Sequence, residues 1–156
     1  FCFLFSSRRR HTRLPVTGVQ TCALPILGGG FVGFLNGKLL PGVDIVLDFI
    51  DLNYHLKDAD LVITGEGATD RSTIYNKAPI GIANRAEKLG IPVISISGAL
   101  NEGFEEVHQH GINASFSIIN SPMTLREATR NAPELISSVS EEIIRTLKLG
   151  KLIFDE

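Results

Sequence analysis

The chain has 156 residues, 17 acidic and 15 basic side chains, and 44% apolar residues. That is enough for a hydrophobic core, and no apolar run reaches the roughly 18 residues needed to span a bilayer. The near-balanced charge hides an asymmetry, because every Asp and Glu lies from Asp44 onward while Arg8, Arg9, Arg10 and Arg13 crowd the other end.

The first 26 residues differ from the rest. Both cysteines, Cys2 and Cys22, lie there, and no helix or strand period is visible. A secretory signal places its positive charge before its apolar region, whereas here Phe1 to Phe5 precede the arginines. An Arg-rich, acid-poor transit peptide fits better. A third reading is adopted: Ser6 to Ile26 resembles a translated sequencing adapter, so residues 1–26 are expected to be non-native. Removing their four arginines leaves 11 basic residues against 17 acids, a formal charge of −6. A basic footprint for nucleic acid is then missing, as is a Cys-based disulfide or metal framework. A cytoplasmic, non-membrane domain is the expectation.

Leu27 to Leu35 is apolar and glycine-rich, and reads as a loop end or a helix start. Pro41-Gly42 punctuates the chain. Val43 to Leu56 has helical spacing, with Val43, Val46, Leu47 and Ile50 on one face. Asp44, Asp48 and Asp51 fall on another, read as a solvated face. Leu61 to Thr64 is a short buried-type strand that ends in a Gly65-Glu66-Gly67 turn. Pro79 to Leu89 reads as a helix with Ile82, Ala83, Ala86 and Leu89 on its core face, opened by proline and closed at Gly90. Pro92 to Ser97 is a second strand ending at Gly98. Asn101 can cap a helix running to about His110, stopped by Gly111. Ala114 to Ile119 is a third strand. Thr124-Leu-Arg-Glu127 has the capping-box form. Pro133 interrupts the last helical region, whose core face is Ile136, Val139, Ile143 and Leu147. Strand–helix alternation with short connections predicts an α/β fold, a parallel sheet flanked by helices.

The segment from Asp60 to Pro79 carries the chemistry. It puts Glu66, Asp70, Thr73 and Lys77 in one loop's reach after a strand, where ligands of open α/β sheets bind. It lacks the third glycine of a dinucleotide turn, and Lys77 is followed by Ala78 without a P-loop glycine pattern, so neither common nucleotide fingerprint is present. His108 and His110 are two apart on a helix, on different faces, and make a poor metal pair. His55 has no partner near in sequence.

The longer string Leu61-Val-Ile-Thr-Gly-Glu-Gly-Ala-Thr-Asp-Arg-Ser-Thr-Ile-Tyr-Asn-Lys-Ala-Pro-Ile-Gly-Ile-Ala83 resembles the bacterial glycerate kinase family, the two-domain type without a P-loop. The resemblance extends through Pro92 to Gly98, Gly111 to Ile118 and Pro122 to Ala128. Upstream it takes in Gly28-Gly-Gly30 and Leu40 to Asp48, so it covers Leu27 to the end. It implies the C-terminal third of a longer enzyme with a Rossmann-like domain, a second α/β domain and a site in the cleft between them. On that basis residues 27–57 are the tail of the second domain and a connecting helix, 58–150 the Rossmann-like domain and 151–156 a tail. The implied reaction transfers the γ-phosphoryl group of ATP to D-glycerate, with Mg²⁺. Two positions depart from the family pattern: Ser72 stands where Gln is usual, and Asn76 where Gly is usual. Asn tolerates left-handed backbone better than most residues.

The roles implied are charge neutralisation and positioning, the main needs of phosphoryl transfer. Asp70 is the candidate Mg²⁺ ligand or general base, with a turn cap as its structural alternative. Glu66 is a candidate substrate or metal contact, or a surface acid. Lys77 would neutralise phosphate or carboxylate, or simply face solvent. Thr73 and Ser72 could donate to an anion, Gly65 and Gly67 could offer backbone N–H groups, and Gly98 could line the same cleft. A non-catalytic sugar-acid or nucleotide-binding α/β module is the competing hypothesis. The isolated chain is expected to be inactive, because one side of an interdomain site is not a site.

Overall fold

Three β-rich segments pair as a parallel sheet in the order β1-β2-β3, with β1 at Val62–Thr69, β2 at Val93–Leu100 and β3 at Ala114–Ser117. The computed structural model describes residues 20–75 and 77–154, and the chain divides between Ile50 and Asp51 into two compact units. The non-native reading of residues 1–26 therefore falls mostly outside the described residues, as does the backbone of Asn76.

In the first unit, helix α1 spans Gln20–Leu35 and α2 spans Gly42–Phe49. The helical alternative for Leu27 to Leu35 holds, and the helix starts earlier than any periodicity suggests. Its described large apolar side chains, Leu27, Phe31, Val32, Phe34 and Leu35 among them, are exposed. Asn36 ends it in a left-handed conformation (φ 51°), and the Gly37 N–H donates to the Phe31 carbonyl at 2.9 Å. Of the expected core face of α2 only Leu47 is buried, while Val46 and Ile50 are exposed. The single helix expected over Val43 to Leu56 is interrupted. Asp51 adopts a left-handed backbone (φ 49°), which an α-helix of L-residues does not tolerate, and a short helix α3, Leu52–Leu56, starts after it.

The second unit begins there. Its core joins Leu56, Ile80, Ala83, Ala86, Val93, Val107 and Ile112, with Leu52, Val62, Ile74 and Ile91 packed against them. Helix α4, Ala78–Glu87, supplies Ile80, Ala83 and Ala86 from one face, and proline sits in its first turn. Leu89, expected on that face, is exposed, because the helix has already ended and Gly90 has turned left-handed (φ 71°). Asn113 clamps the start of β2: its side-chain oxygen accepts from the Val93 N–H at 2.7 Å, and its own N–H donates to the Val93 carbonyl at 2.8 Å.

The main correction concerns the glycine motif. Gly65-Glu66-Gly67 is not a turn, since β1 continues to Thr69, in register with β2 from Val62↔Val93 to Thr69↔Leu100. β2 likewise runs through Gly98 to Leu100. Gly65 and Gly98 serve a close approach between these strands. A Cβ on Gly65 would collide with the Ile96 carbonyl oxygen, and one on Gly98 with the Gly67 carbonyl oxygen. A sequence pattern read as punctuation is in fact a packing requirement.

Between β2 and β3 the expected α-helix is a 3-10 segment, Phe104–His110, preceded by left-handed Gly103 rather than capped by Asn101, and closed by left-handed Gly111. β3 stops at Ser117, two residues short of the expected end. The Ser117 hydroxyl accepts the Ile119 N–H at 3.1 Å, which turns the chain out of the ladder. Helix α5, Leu125–Arg130, opens with the Thr124–Glu127 capping box, and α6 runs over Ala132–Phe154. Pro133 fits the first turn of α6, and the interruption falls one residue earlier than Ala132, at Asn131. On α6 the buried residues are Leu135 and Ile143, while Ile136 and Leu147 remain exposed.

Candidate active site at the carboxyl end of the sheet

The carboxyl end of β1 leads through Asp70 into a 3-10 turn, Arg71–Ile74, and then into α4. Asp70 caps that turn. Its Oδ1 accepts from the Ser72 N–H at 2.7 Å and from the Ser72 hydroxyl at 2.5 Å, while its own N–H donates to Thr73 Oγ1 at 3.1 Å. The short turn folds Thr73 and Lys77 back over the end of the strand.

Glu66 is the centre of the resulting cluster. Its Oε1 accepts from Thr73 Oγ1 at 2.7 Å and from Thr69 Oγ1 at 3.2 Å. Its Oε2 lies 3.5 Å from Lys77 Nζ, and the same ammonium lies 3.5 Å from Asp70 Oδ1. Lys77 Nζ also donates to Thr73 Oγ1 at 3.4 Å. The Glu66 side chain is only 15% exposed, against 37% for Lys77 and 35% for Asp70. One ammonium therefore bridges two carboxylates, leaving a formal local charge of −1. The two hydrogen bonds from Ser72 hold the Asp70 carboxyl below the usual carboxylate range, helped by the nearby Lys77 charge.

Glu66 also faces a second feature. A cleft of about 550 Å³, within the size range of small-molecule sites, is lined by Glu66, Gly67, Ser97 and Gly98 from the strand ends, with Ile96, Ile118, Met123 and Ile136 among its apolar walls. The structure thus brings Glu66, Asp70, Ser72, Thr73 and Lys77 together in one hydrogen-bonded group. Gly67 and Gly98 sit on the adjoining cleft wall, and Gly65 lies inside the β1–β2 ladder. His55, His108 and His110 are exposed, and His108 Nδ1 is 2.9 Å from the Ile112 carbonyl oxygen.

Two participants escape the sequence reading. Thr69 is fully buried and Ser97 nearly so, and their hydroxyls lie 2.6 Å apart. Thr69 looks like a loop residue until β1 is seen to extend to it. Ser97 becomes visible only through the register, which pairs it with Glu66.

The sequence profile described as the glycerate kinase family matches residues 26–148. The chain belongs to the glycerate kinase family. A glycerate kinase of Halalkalibacterium halodurans is 45% identical over 117 residues, covering 75% of this chain and 31% of that protein. A glycerate 2-kinase of Escherichia coli is 44% identical over 124 residues, covering 80% of this chain and 32% of its own length. The crystal structure of a Salmonella typhimurium protein provisionally assigned as glycerate kinase 2 superimposes with a TM-score of 0.63 at 40% identity, covering 81% of this chain and 32% of that one. The chain thus spans about a third of the length of the relatives it matches. Among the described residues, no helix is long and apolar enough to cross a membrane.

Proposed function

We propose that this chain supplies one side of the active site of an ATP-dependent glycerate kinase. The whole polypeptide transfers the γ-phosphoryl group of ATP to a hydroxyl of D-glycerate in the cytoplasm, giving phosphoglycerate and ADP. The observation that carries this reading is the joining of Glu66, Asp70, Thr73 and Lys77 by contacts of 2.7 to 3.5 Å at the carboxyl end of β1, inside the segment shared with the family.

In this reading the substrate hydroxyl attacks the γ-phosphorus as the bond to the β-bridging oxygen breaks. Asp70 takes the hydroxyl proton or carries a metal ligand's share. The lowered pKa of this carboxylate favours the metal-binding task, since it makes Asp70 a weaker base. Lys77 offsets the charge of phosphate or of the glycerate carboxylate as a compact cation. Glu66, fixed by two hydroxyl donors, orients whatever meets the cleft wall. Mg²⁺ takes one or two carboxylates together with phosphate oxygens and water. Glu66 and Asp70 fit that demand, and among the described residues no group of three His, Cys, Asp or Glu side chains forms a dedicated cage. When bound, the ion would neutralise phosphate charge. On this reading residues 27–57 are the tail of a second α/β domain and its connecting helix, the helical end from Asp51 packing with the unit that carries the Rossmann-like residues 58–150, and the 156-residue chain alone, holding one side of the site, is inactive.

The test is magnesium-dependent phosphorylation of D-glycerate by the whole polypeptide, abolished by Asp70→Ala. Unimpaired turnover in that variant removes Asp70 from the chemistry. Ligand binding without turnover in the unaltered polypeptide moves the reading to a sugar-acid or nucleotide-binding module. Turnover by the isolated chain would refute the two-sided site.

A further inference from the structure

We infer that Thr69 and Ser97 are positioning residues for Glu66, forming a hydrogen-bond chain that runs from Ser97 through Thr69 to the Glu66 carboxylate. The functional weight of this chain rests on the reading of Glu66 as a substrate or metal contact, while its existence does not.

The direction of the chain follows from proton counting. A threonine hydroxyl has one hydrogen and two lone pairs. Thr69 Oγ1 donates to Glu66 Oε1 at 3.2 Å, so at the 2.6 Å contact with Ser97 Oγ it must accept. Ser97 is therefore the donor. Thr73 obeys the same rule on the other side: it donates to Glu66 Oε1 at 2.7 Å and accepts from the Asp70 N–H and from Lys77. Two hydroxyl donors converge on a single carboxylate oxygen, one anchored in the sheet and one in the turn. That leaves Oε2 as the oxygen facing Lys77.

The anchoring is rigid where it needs to be. Ser97 is in the middle strand, paired with Glu66 on one side and Ser117 on the other. Thr69 and Ser97 are both buried, so neither hydroxyl can exchange its partner for solvent at no cost. A glutamate side chain otherwise loses considerable rotamer freedom on being held in one geometry. The Ser97–Thr69 chain meets that cost from the protein's interior before any ligand arrives, as preorganised sites require.

Two readouts test this. In the 156-residue chain carrying ¹³C-labelled glutamate, Thr69→Val shifts the side-chain carboxylate resonance of Glu66. Ser97→Ala shifts it in the same direction, but only while Thr69 is present. In the whole polypeptide, Thr69→Val lowers kcat by about tenfold, the worth of one hydrogen bond to a charged group, with KM for D-glycerate changed by less than about twofold. Thr69→Ser, which keeps the hydroxyl, restores kcat. Ser97→Ala lowers kcat in the native background and adds nothing to Thr69→Val, since Ser97 acts only through Thr69. A merely structural pair would lower the melting temperature without this pattern. An unmoved Glu66 resonance in Thr69→Val, or equal losses from Ser97→Ala in both backgrounds, overturns the inference. An inactive whole polypeptide that still shows both resonance shifts overturns the kinase reading and upholds the positioning chain.

Discussion

Replacing the two glycines of the Gly65-Glu66-Gly67 motif by alanine, one at a time, separates a packing requirement from an apparent turn. An alanine Cβ at Gly65 lands inside contact distance of the Ile96 carbonyl oxygen, which must retreat by roughly an ångström or more to reach ordinary separation. That oxygen belongs to the backbone of the central strand, so no rotamer change relieves the clash. Overpacking of this kind costs about 1–3 kcal/mol, and a disturbed ladder hydrogen bond adds about 1 kcal/mol. Against this, removing a glycine from a strand returns about 0.5–1 kcal/mol of chain entropy. The net loss is about 2 kcal/mol, or a fall of roughly 10 °C in Tm for a unit of this size. At Gly67 nothing lies within 4 Å of the added Cβ, and its φ is not positive. Gly67→Ala is therefore neutral or slightly stabilising. Urea denaturation and thermal melting of the chain followed by circular dichroism measure both. Equal effects at the two positions, or a larger loss at Gly67, would refute the assignment of the motif to the β1–β2 contact.

The remaining stability prediction concerns the core. Ile80→Ala, at a side chain 2% exposed in the cluster that joins α4 to β2, costs about 2–5 kcal/mol through lost burial and a cavity. Leu89→Ala, on the same helix by sequence but exposed, changes the urea midpoint by less than about 0.5 kcal/mol equivalent. A similar loss at both positions would mean that the face deduced from periodicity, not the one observed, is buried.

The parallel α/β class and most of the elements were legible because apolar runs alternate with helical periods from β1 to α6. The Thr124–Glu127 box and the left-handed Gly90 and Gly111 were readable from local chemistry alone. What failed was whatever depends on a distant partner. The end of β1 cannot be read from Gly-Glu-Gly, because its continuation depends on a ladder with residues 31 positions later in the chain, such as Ser97 opposite Glu66. The interruption at Asp51 was hidden because Val43 to Leu56 keeps a helical apolar period across it. Core faces drawn on helical wheels overstated burial at Leu89, Ile136 and Leu147, since periodicity ranks positions by angle and does not say where the covering element ends. The acids, the lysine and Thr73 were found because they are close in sequence. Thr69 and Ser97 were not, because only the register brings them to Glu66.

Ser72 holds the carboxylate of the candidate base from two atoms at once. Its short hydroxyl donates to Asp70 Oδ1 at 2.5 Å, and the Ser72 N–H donates to the same oxygen at 2.7 Å. These bonds, with Lys77, hold the Asp70 carboxyl below the usual carboxylate range. For a carboxyl whose folded pKa is depressed, the stability it contributes is present above the unfolded value and is lost as pH falls through the folded value. The loss from Asp70 therefore falls in acid, from the ordinary aspartate range downward, and neutral solution leaves it intact. Ser72→Ala removes the hydroxyl donor but keeps the backbone bond and the lysine, so Asp70 titrates at higher pH while staying below its ordinary value. ¹³C titration of the aspartate carboxyl groups in the two chains reads this directly. An Asp70 curve unchanged by Ser72→Ala would show that the backbone N–H and Lys77 alone hold the carboxylate. The serine hydroxyl would then add nothing to the lowering of the Asp70 pKa.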